Sequence, residues 1–443
     1  MRIIIAGAGE LGRLLASTLS NAAHDVTIID SDADMLEHIN DNLDIKVVEG
    51  SCISINTLKD ASGDEAANIL CCQLASKMGV LKTVCRLSSP DRFSEDDGVT
   101  PDKFGIWKCV SPSEECVGKI RSVLRNRMLV EKIRFSNPDA VMEVFRVSPS
   151  SLLAGTRVKD IPTDSGLLNS VRFAAIVRQK QFLIPHGDTI FVPGDKVYIA
   201  GGNKDVGNFI SWISEETSSV KTSRIVIAGA TITGRLLASE LCADGYDVRF
   251  IEKNQQKGEK LLDTLPPGIL VINGDPTDEE VLEEAGIRDC EGFVSAASDD
   301  EDNILSCIMA KRMGARKTVT VTSKPEYIRI VPTMDMIDCG FSTTLTAVNS
   351  ILRMLESGTM RIDAFLQMFH ARLTEFRVSN SSPLCGKELA TCNLPSSTLF
   401  ALAFRRDEII APSGNTILQP GDTVVAIVTP EVEKELEPLF PEK

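Results

Sequence analysis

The sequence predicts an α/β protein: two doubly wound parallel-sheet domains, each followed by a small α+β domain. Three observations predict it. The chain opens on a strand, a glycine turn, a helix and a second strand; that stretch recurs 222 positions later; and a smaller repeat follows each copy.

The opening stretch, MRIIIAGAGELGRLLASTLSNAAHDVTIID, sets the first domain. Ile3, Ile4 and Ile5 form a short apolar run of the kind buried on both faces of a parallel sheet. Gly7, Gly9 and Gly12 then give G-x-G-x-x-G, with Ala8, Glu10 and Leu11 between them. The first glycine permits the turn, the second lets backbone approach a pyrophosphate, and the third lets helix pack on strand. N–H groups at a helix start attract phosphate. Asp30 ends the next strand, where a carboxylate can accept both ribose hydroxyls of an adenine nucleotide.

Composition removes several classes of function. A net charge of −15 supplies no basic face for nucleic acid or for an acidic membrane surface. No run approaches the roughly 20 apolar residues of a membrane span. Met1 leads straight into a strand, so no signal peptide is expected. Twelve cysteines carry no C-x-x-C pair, and sites such as Cys71, Cys72 and Cys307 sit in apolar contexts. Reduced, buried thiols are expected rather than a zinc site.

The duplication is read directly. Gly7 falls on Gly229, Gly12 on Gly234 and Asp30 on Glu252, while Thr231 replaces the middle glycine. From Ser62 and from Ser298 the sequences match again, with Asn68 on Asn303, but the offset has grown from 224 to 235. The first copy therefore lacks 11 residues, those matching Gly286–Ala296 (GIRDCEGFVSA), which carry a turn and a strand. A central strand of the first sheet is expected to be missing. Either the sheet closes up with altered pairing or the sequence is defective there.

A smaller unit repeats after each large one. VFRVSPSS (from Val144) matches EFRVSNSS (from Glu375), and a Pro-Gly-Asp turn recurs after PHGDT and PSGNT. Short strands such as Ala174–Val177 and Leu399–Ala403 are separated by Gly/Pro/Asp turns. The boundaries read from composition and repeat are 1–137, 138–217, 218–372 and 373–443.

Two Rossmann-like units, each followed by a small Pro-Gly-Asp unit, resemble the TrkA family, the peripheral NAD-binding subunits of Trk potassium uptake systems. Their building blocks are RCK (or KTN) N and C domains, and the resemblance covers essentially the whole chain. It implies a doubly wound RCK N domain and a small α+β RCK C-terminal domain, each present twice. It implies that Gly7, Ala8, Gly9, Glu10 and Leu11 cradle the pyrophosphate of NAD or NADH, with ATP or ADP as further candidates. Asp30 would hold the ribose. Ser62 stands where the family has a Thr or Ser closing the fourth strand, and Arg86 matches an arginine that approaches the phosphates. Glu49–Ser51 would lie near the adenine. In the second cleft, Gly229, Thr231, Gly234, Glu252 and Asp275 take the matching places. There the Thr231 methyl would crowd the pyrophosphate, and Ala297 and Val321 replace the hydroxyl and the arginine.

The resemblance further implies a cytoplasmic protein, peripheral on the inner face of the cell membrane. It would self-associate into dimers and a tetrameric ring and gate an integral-membrane potassium channel subunit, with no nucleic-acid partner. An NAD-dependent oxidoreductase is the enzyme alternative, but no acid/base constellation is legible among His24, His38, His186 and His370. A non-sensing scaffold is the other. The stretch SPSEECVGKIRSVLRNRMLVEKI reads as one amphipathic helix with Val117, Ile120, Val123 and Leu124 on one face. The resemblance implies that it and its counterpart from Thr343 pack units in pairs; packing on its own sheet is the alternative.

Overall fold

The structure, a computed structural model, describes all residues except 22, 23, 41, 44, 52–55, 89–92, 94–99, 127, 162–170, 180, 214–222, 332, 333, 335, 356–371, 396, 397, 407, 442 and 443. The linker around Thr217 and His370 lie outside the described residues.

The first Rossmann unit contains β1 (Arg2–Ala6), α1 (Glu10–Asn21), β2 (Asp25–Asp30), α2 (Ala33–Asn40), β3 (Lys46–Glu49), α3 (Asn56–Lys77), β4 (Val84–Arg86) and β5 (Lys108–Val110). After it come α4 (Pro112–Leu124) and the small-unit elements β6 (Leu129–Arg134), β7 (Ala140–Arg146), β8 (Val171–Arg178), β9 (Gln181–Leu183), β10 (Lys196–Gly202) and α5 (Asn203–Ile213). The second Rossmann unit has β11 (Arg224–Ala228), α6 (Ile232–Ala243), β12 (Asp247–Glu252), α7 (Gln255–Thr264), β13 (Leu270–Asn273) and α8 (Glu279–Glu284). It continues through β14 (Gly292–Ser295), α9 (Asp300–Arg312), β15 (Thr318–Thr322), α10 (Pro325–Ile330), β16 (Cys339–Ser342) and α11 (Thr343–Leu355). The second small unit has β17 (Arg372–Arg377), β18 (Leu399–Arg405), β19 (Glu408–Ile410), β20 (Thr423–Val428) and α12 (Pro430–Leu436).

The second unit is a complete doubly wound sheet, ordered β13-β12-β11-β14-β15-β16 and parallel throughout. Its central strands β11, β14 and β15 are buried on both faces, as continuous apolar strands require. The first unit is not complete. Its strands form two separate sheets, β1-β2-β3 and β4-β5. Among the described residues β1 pairs only with β2, so the sheet does not close over the missing strand. The expectation that Ile3 to Ile5 are buried on both faces fails at Ile4, which is 64% exposed. Ile5 is buried with Leu15 and Leu19 of α1. The opposite face has lost the segment that covers it in the second unit.

The two helical patterns that flank that segment merge here. The second unit uses α8, then a strand, then α9; the first runs through α3 for 22 residues without a break. Ser62 therefore falls inside a helix and not at a strand end, and its side chain lies outside the described residues.

The helix expected from Ser111 to Ile133 ends at Leu124, capped at its start by Ser111 accepting from the Glu114 amide. Leu129–Arg134 is instead an edge strand of the small sheet, ordered β6-β7-β10-β8-β9. Pairing with β7 satisfies its backbone, which a longer helix would leave projecting beyond the core. This strand precedes the break at Asn137, so pairing and chain punctuation divide the units at different places.

Helices α4 and α11 are exchanged between units. Val117, Ile120 and Val123 pack with Ile225, Leu237 and Leu241 of the second Rossmann unit. Ala347, Val348 and Ile351 pack with Leu15 and Leu19 of the first. Arg121 is ion-paired to Glu240 and Asp244. The buried Lys317 ammonium donates to the carbonyls of Val123 and Asn126 at 2.6 and 2.8 Å, closing the C-terminus of α4. The alternative of a helix packed on its own sheet is thus excluded for α4.

The small sheets, the second ordered β17-β20-β18-β19, lie face to face. Phe135, Met142 and Tyr198 share one core with Leu373, Phe404 and Ile427. The Pro-Gly-Asp turns have a structural use in both: Asp195 and Asp422 are buried and bidentate to Arg178 and Arg405.

Candidate functional site

The two glycine turns are built alike. Gly7 and Gly229 take φ of +107° and +100°, a region that favours glycine. Their amides donate to Ile29 and Ile251, at 2.9 and 3.0 Å, which docks each turn on the neighbouring strand. A Cβ on Gly12 would lie 2.0 Å from the Gly7 carbonyl oxygen, and one on Gly234 2.2 Å from that of Gly229. The third glycine is thus fixed by close packing in both copies.

The acids are placed alike too. The Asp30 carboxylate accepts from the Ala8 amide at 2.5 Å and the Asp32 amide at 2.9 Å. Glu252 accepts from Ala230 at 2.7 Å and Asn254 at 2.8 Å. Each carboxylate joins the glycine turn to the end of the second strand, where a nucleotide in this fold lies.

The clefts differ at the middle glycine position. Gly9 has open space where a Cβ would stand. Thr231 is the N-cap of α6: its hydroxyl accepts from the Gly234 amide at 3.3 Å and donates to the Ala296 carbonyl at 2.5 Å. One helix-start donor that could face a phosphate is thereby engaged.

The second cleft encloses about 360 Å³ between the glycine turn, the end of β12 and the start of α9. Lys253, Lys257, Asp299 and Asp302 line it alongside Thr231 and Glu252. Sequence reasoning missed these four; Asp299 was legible as a helix N-cap, and it accepts from Asp302. Asp275, expected at the adenine, is held by Lys253 at 2.6 Å and by the Thr277 amide and hydroxyl. The Lys253 ammonium, then the two Thr277 donors, pull its carboxyl down to about 2.

In the first cleft the structure brings Gly7 to Gly12 and Asp30 together, with Ala8 buried and Leu11 partly so. Ser51 follows β3 and is exposed. Arg86 ends β4, exposed, on the sheet that does not join β1. The structure therefore does not unite Arg86 or Ser62 with the glycine turn through one sheet, because the strand that would bridge them is absent. Glu10 faces the second unit. Burial, then the like charges of Glu326 and Asp300, push its carboxyl above the usual range.

Comparison with known proteins agrees with this architecture. Models of the TrkA-N domain match residues 3–95 and 225–338, and models of the TrkA-C domain match 142–214 and 373–440. The chain is 27% identical over 460 residues to Trk system potassium uptake protein TrkA homolog 2 of Methanosarcina mazei, covering 99% of this chain and 100% of that one. It is 26% identical over 457 residues to Trk system potassium uptake protein TrkA of Vibrio alginolyticus, covering 99% and 98%. Among solved structures, the GsuK RCK domain superposes with a TM-score of 0.58 at 18% identity, covering 99% and 94%. The GsuK channel bound to NAD gives 0.58 at 18% identity, covering 99% and 78%. These structural likenesses concern the fold.

Proposed function

The chain belongs to the TrkA family, and we propose that it is a nucleotide-sensing regulatory subunit of a Trk-type potassium uptake system. The observation that carries the reading is the anchored acid at the first glycine turn, Asp30 on the Ala8 amide. NAD or NADH would lay its pyrophosphate on Gly7 to Leu11 and its ribose on Asp30, with ATP or ADP as competitors. No described helix is long and apolar enough to cross a membrane. The reading makes this chain a peripheral subunit at the cytoplasmic face of an integral-membrane channel, in dimers and a tetrameric ring. It assigns no reaction to the protein.

Gating follows from differential affinity. A nucleotide shifts the ring only if it binds one ring state more tightly than the other. A tenfold preference corresponds to about 1.4 kcal/mol per site, and coupled sites add. The exchanged helices α4 and α11 give a route, since each lies between the two Rossmann units. The divided first sheet favours a second reading, a scaffold that binds the channel without sensing.

The test is calorimetric titration of the full chain with NADH, NAD⁺, ATP and ADP, followed by potassium flux through the reconstituted channel. Nucleotide binding that changes flux is the expected result. Binding with unchanged flux, or no binding, would leave the scaffold.

A further inference from the structure

We propose that the first Rossmann unit holds an open strand slot between β1 and β4, and that a partner protein fills it with an extended segment parallel to β1, carrying an acidic residue ahead of two apolar ones.

Backbone direction defines the slot. The Asp25 amide donates to the Met1 carbonyl and the Gly7 amide to that of Ile29, so Met1, Ile3, Ile5 and Gly7 face β2. Strand alternation turns the amides and carbonyls of Arg2, Ile4 and Ala6 to the other edge. Their counterparts Arg224, Val226 and Ala228 pair with β14. There the Glu291 amide donates to the Arg224 carbonyl and the Ala296 amide to that of Ala228, both at 2.8 Å. No described strand meets Arg2, Ile4 or Ala6, and all three are exposed. Across the gap, the Thr83 carbonyl accepts from Trp107 and the Leu87 amide donates to Val110, so β4 turns the amides of Val84 and Arg86 away from β5. The matching edge of β15 receives β14, with the Phe293 amide on the Lys317 carbonyl.

The gap keeps its place because an exchanged helix spans it. Val110 of β5 shares a core with Leu15 of α1 and Ile351 of α11. Phe341 of β16 shares one with Leu237 of α6 and Ile120 of α4. Helix α11 thus holds β5 as α4 holds β16, although the strand between is gone.

Side chains and charges describe the occupant. Val294 of β14 packs toward α4 and α6, and Phe293 toward the opposite core. In the slot the first place meets Ile5 and Leu15, and the second lies beside Ile4. Arg2 and Lys82, both exposed, stand where a parallel strand enters, and the exposed Arg86 where it leaves. In the second unit the strand is led by Glu291, which is ion-paired to Arg316. The cationic entrance selects the acid, the two cores select the apolar pair, and the open backbone edges select an extended chain.

The full chain, kept reduced, is titrated with a fluorescent peptide of residues 289–297 (DCEGFVSAA), which contains the second unit's own strand. Saturable one-to-one binding by anisotropy is expected, with hydrogen exchange slowed at the amides of Ile4, Ala6, Val84 and Arg86. N-methylation of the peptide amides at Val294 and Ala296, which donate toward β1, should weaken binding at least about tenfold. Glu291→Lys in the peptide should weaken it further at low salt. Absent binding, an N-methylated peptide that binds equally well, or protection confined to β11 overturns the proposal. So does a concentration-dependent dimer that protects β1 without peptide, since the slot would then belong to a second copy.

Discussion

Ile4 and Val226 hold the same place in the two Rossmann units, mid-strand next to the glycine turn, yet Ile4 is 64% exposed and Val226 fully buried. Val80 and Ala315 show the same contrast, 42% against 3%. At Gly7 an added Cβ would meet nothing within 4 Å; at Gly229 it would come within 2.4 Å of Ala297. All three differences trace to one cause. Gly286–Ala296 supplies the strand between β11 and β15 and places Ile287, Cys290 and Phe293 in the core that holds Val226 and Ala315, and the first unit lacks it. The comparison separates two things usually found together: the first unit keeps the binding motif without that strand, the second keeps the strand with an altered motif.

The largest expected effect comes from making the second unit like the first. Deleting Gly286–Ala296 removes buried Ile287, Phe293 and Val294. On the order of 10 kcal/mol should be lost, and with it the cooperative thermal transition of that unit. The reverse change, inserting the same segment after Ala61, should cover Ile4 and Val80 and stabilise the first unit by about 3–5 kcal/mol. An unchanged denaturation midpoint would mean that its two sheets already have a packing of their own.

Next in size is the acid. Asp30→Ala removes the acceptor for two backbone amides and for the ribose, so nucleotide affinity should fall by about 2 kcal/mol, roughly thirtyfold. Glu252→Ala should change total binding less, because the Thr231 hydroxyl engages a helix-start donor of its cleft. Calorimetry on both folded variants ranks the clefts, and a reversed order would show that the strand matters more than the motif.

Exchanging the middle residue is subtler. Gly9→Thr should leave stability nearly unchanged, since its Cβ enters open space, while reducing binding several-fold. Thr231→Gly should cost about 1 kcal/mol of stability through the lost cap and the bond to Ala296, and should raise affinity in the second cleft. Paired melting and titration curves check both.

The smallest effect concerns acid. Asp275 titrates at about 2 in the fold and about 4 unfolded. A depressed carboxyl contributes stability above its unfolded pKa and loses it as pH falls toward the folded value. Asp275→Asn should therefore lower stability slightly at neutral pH and flatten the stability profile between about pH 4 and 2. Acid titrations followed by circular dichroism would show whether the slope differs.

The duplication, both glycine turns, both acids, the small units and the missing strand were all legible, the last as a jump in repeat offset. The exposure of Ile4 was not, because reading an apolar run as buried assumes that a cover exists. Ser62 was misplaced because, without the strand that separates them in the second unit, two helical patterns merge across Ser62, Gly63 and Asp64. The helix after Ser111 was read too long because Leu129 to Ile133 suit either element, and only β7 decides. Thr231 looked like a steric obstacle, yet its hydroxyl caps a helix, a role set by ψ and by the position of Ala296. Lys317 carried no local signal, since its partners are about two hundred residues away.

That last distance bears on synthesis. Lys317 and Val123 are 194 positions apart, and a ribosome adding about 5–20 residues per second needs on the order of 10–40 s to make the chain between them. For the first half of that interval the apolar side of α4 lacks its partners in the second unit, because Ile225, Leu237 and Leu241 are still unmade. The first half of this protein is therefore born waiting. A nascent chain halted before Arg224 should be open to protease at α4, and the same chain released at full length should be protected there.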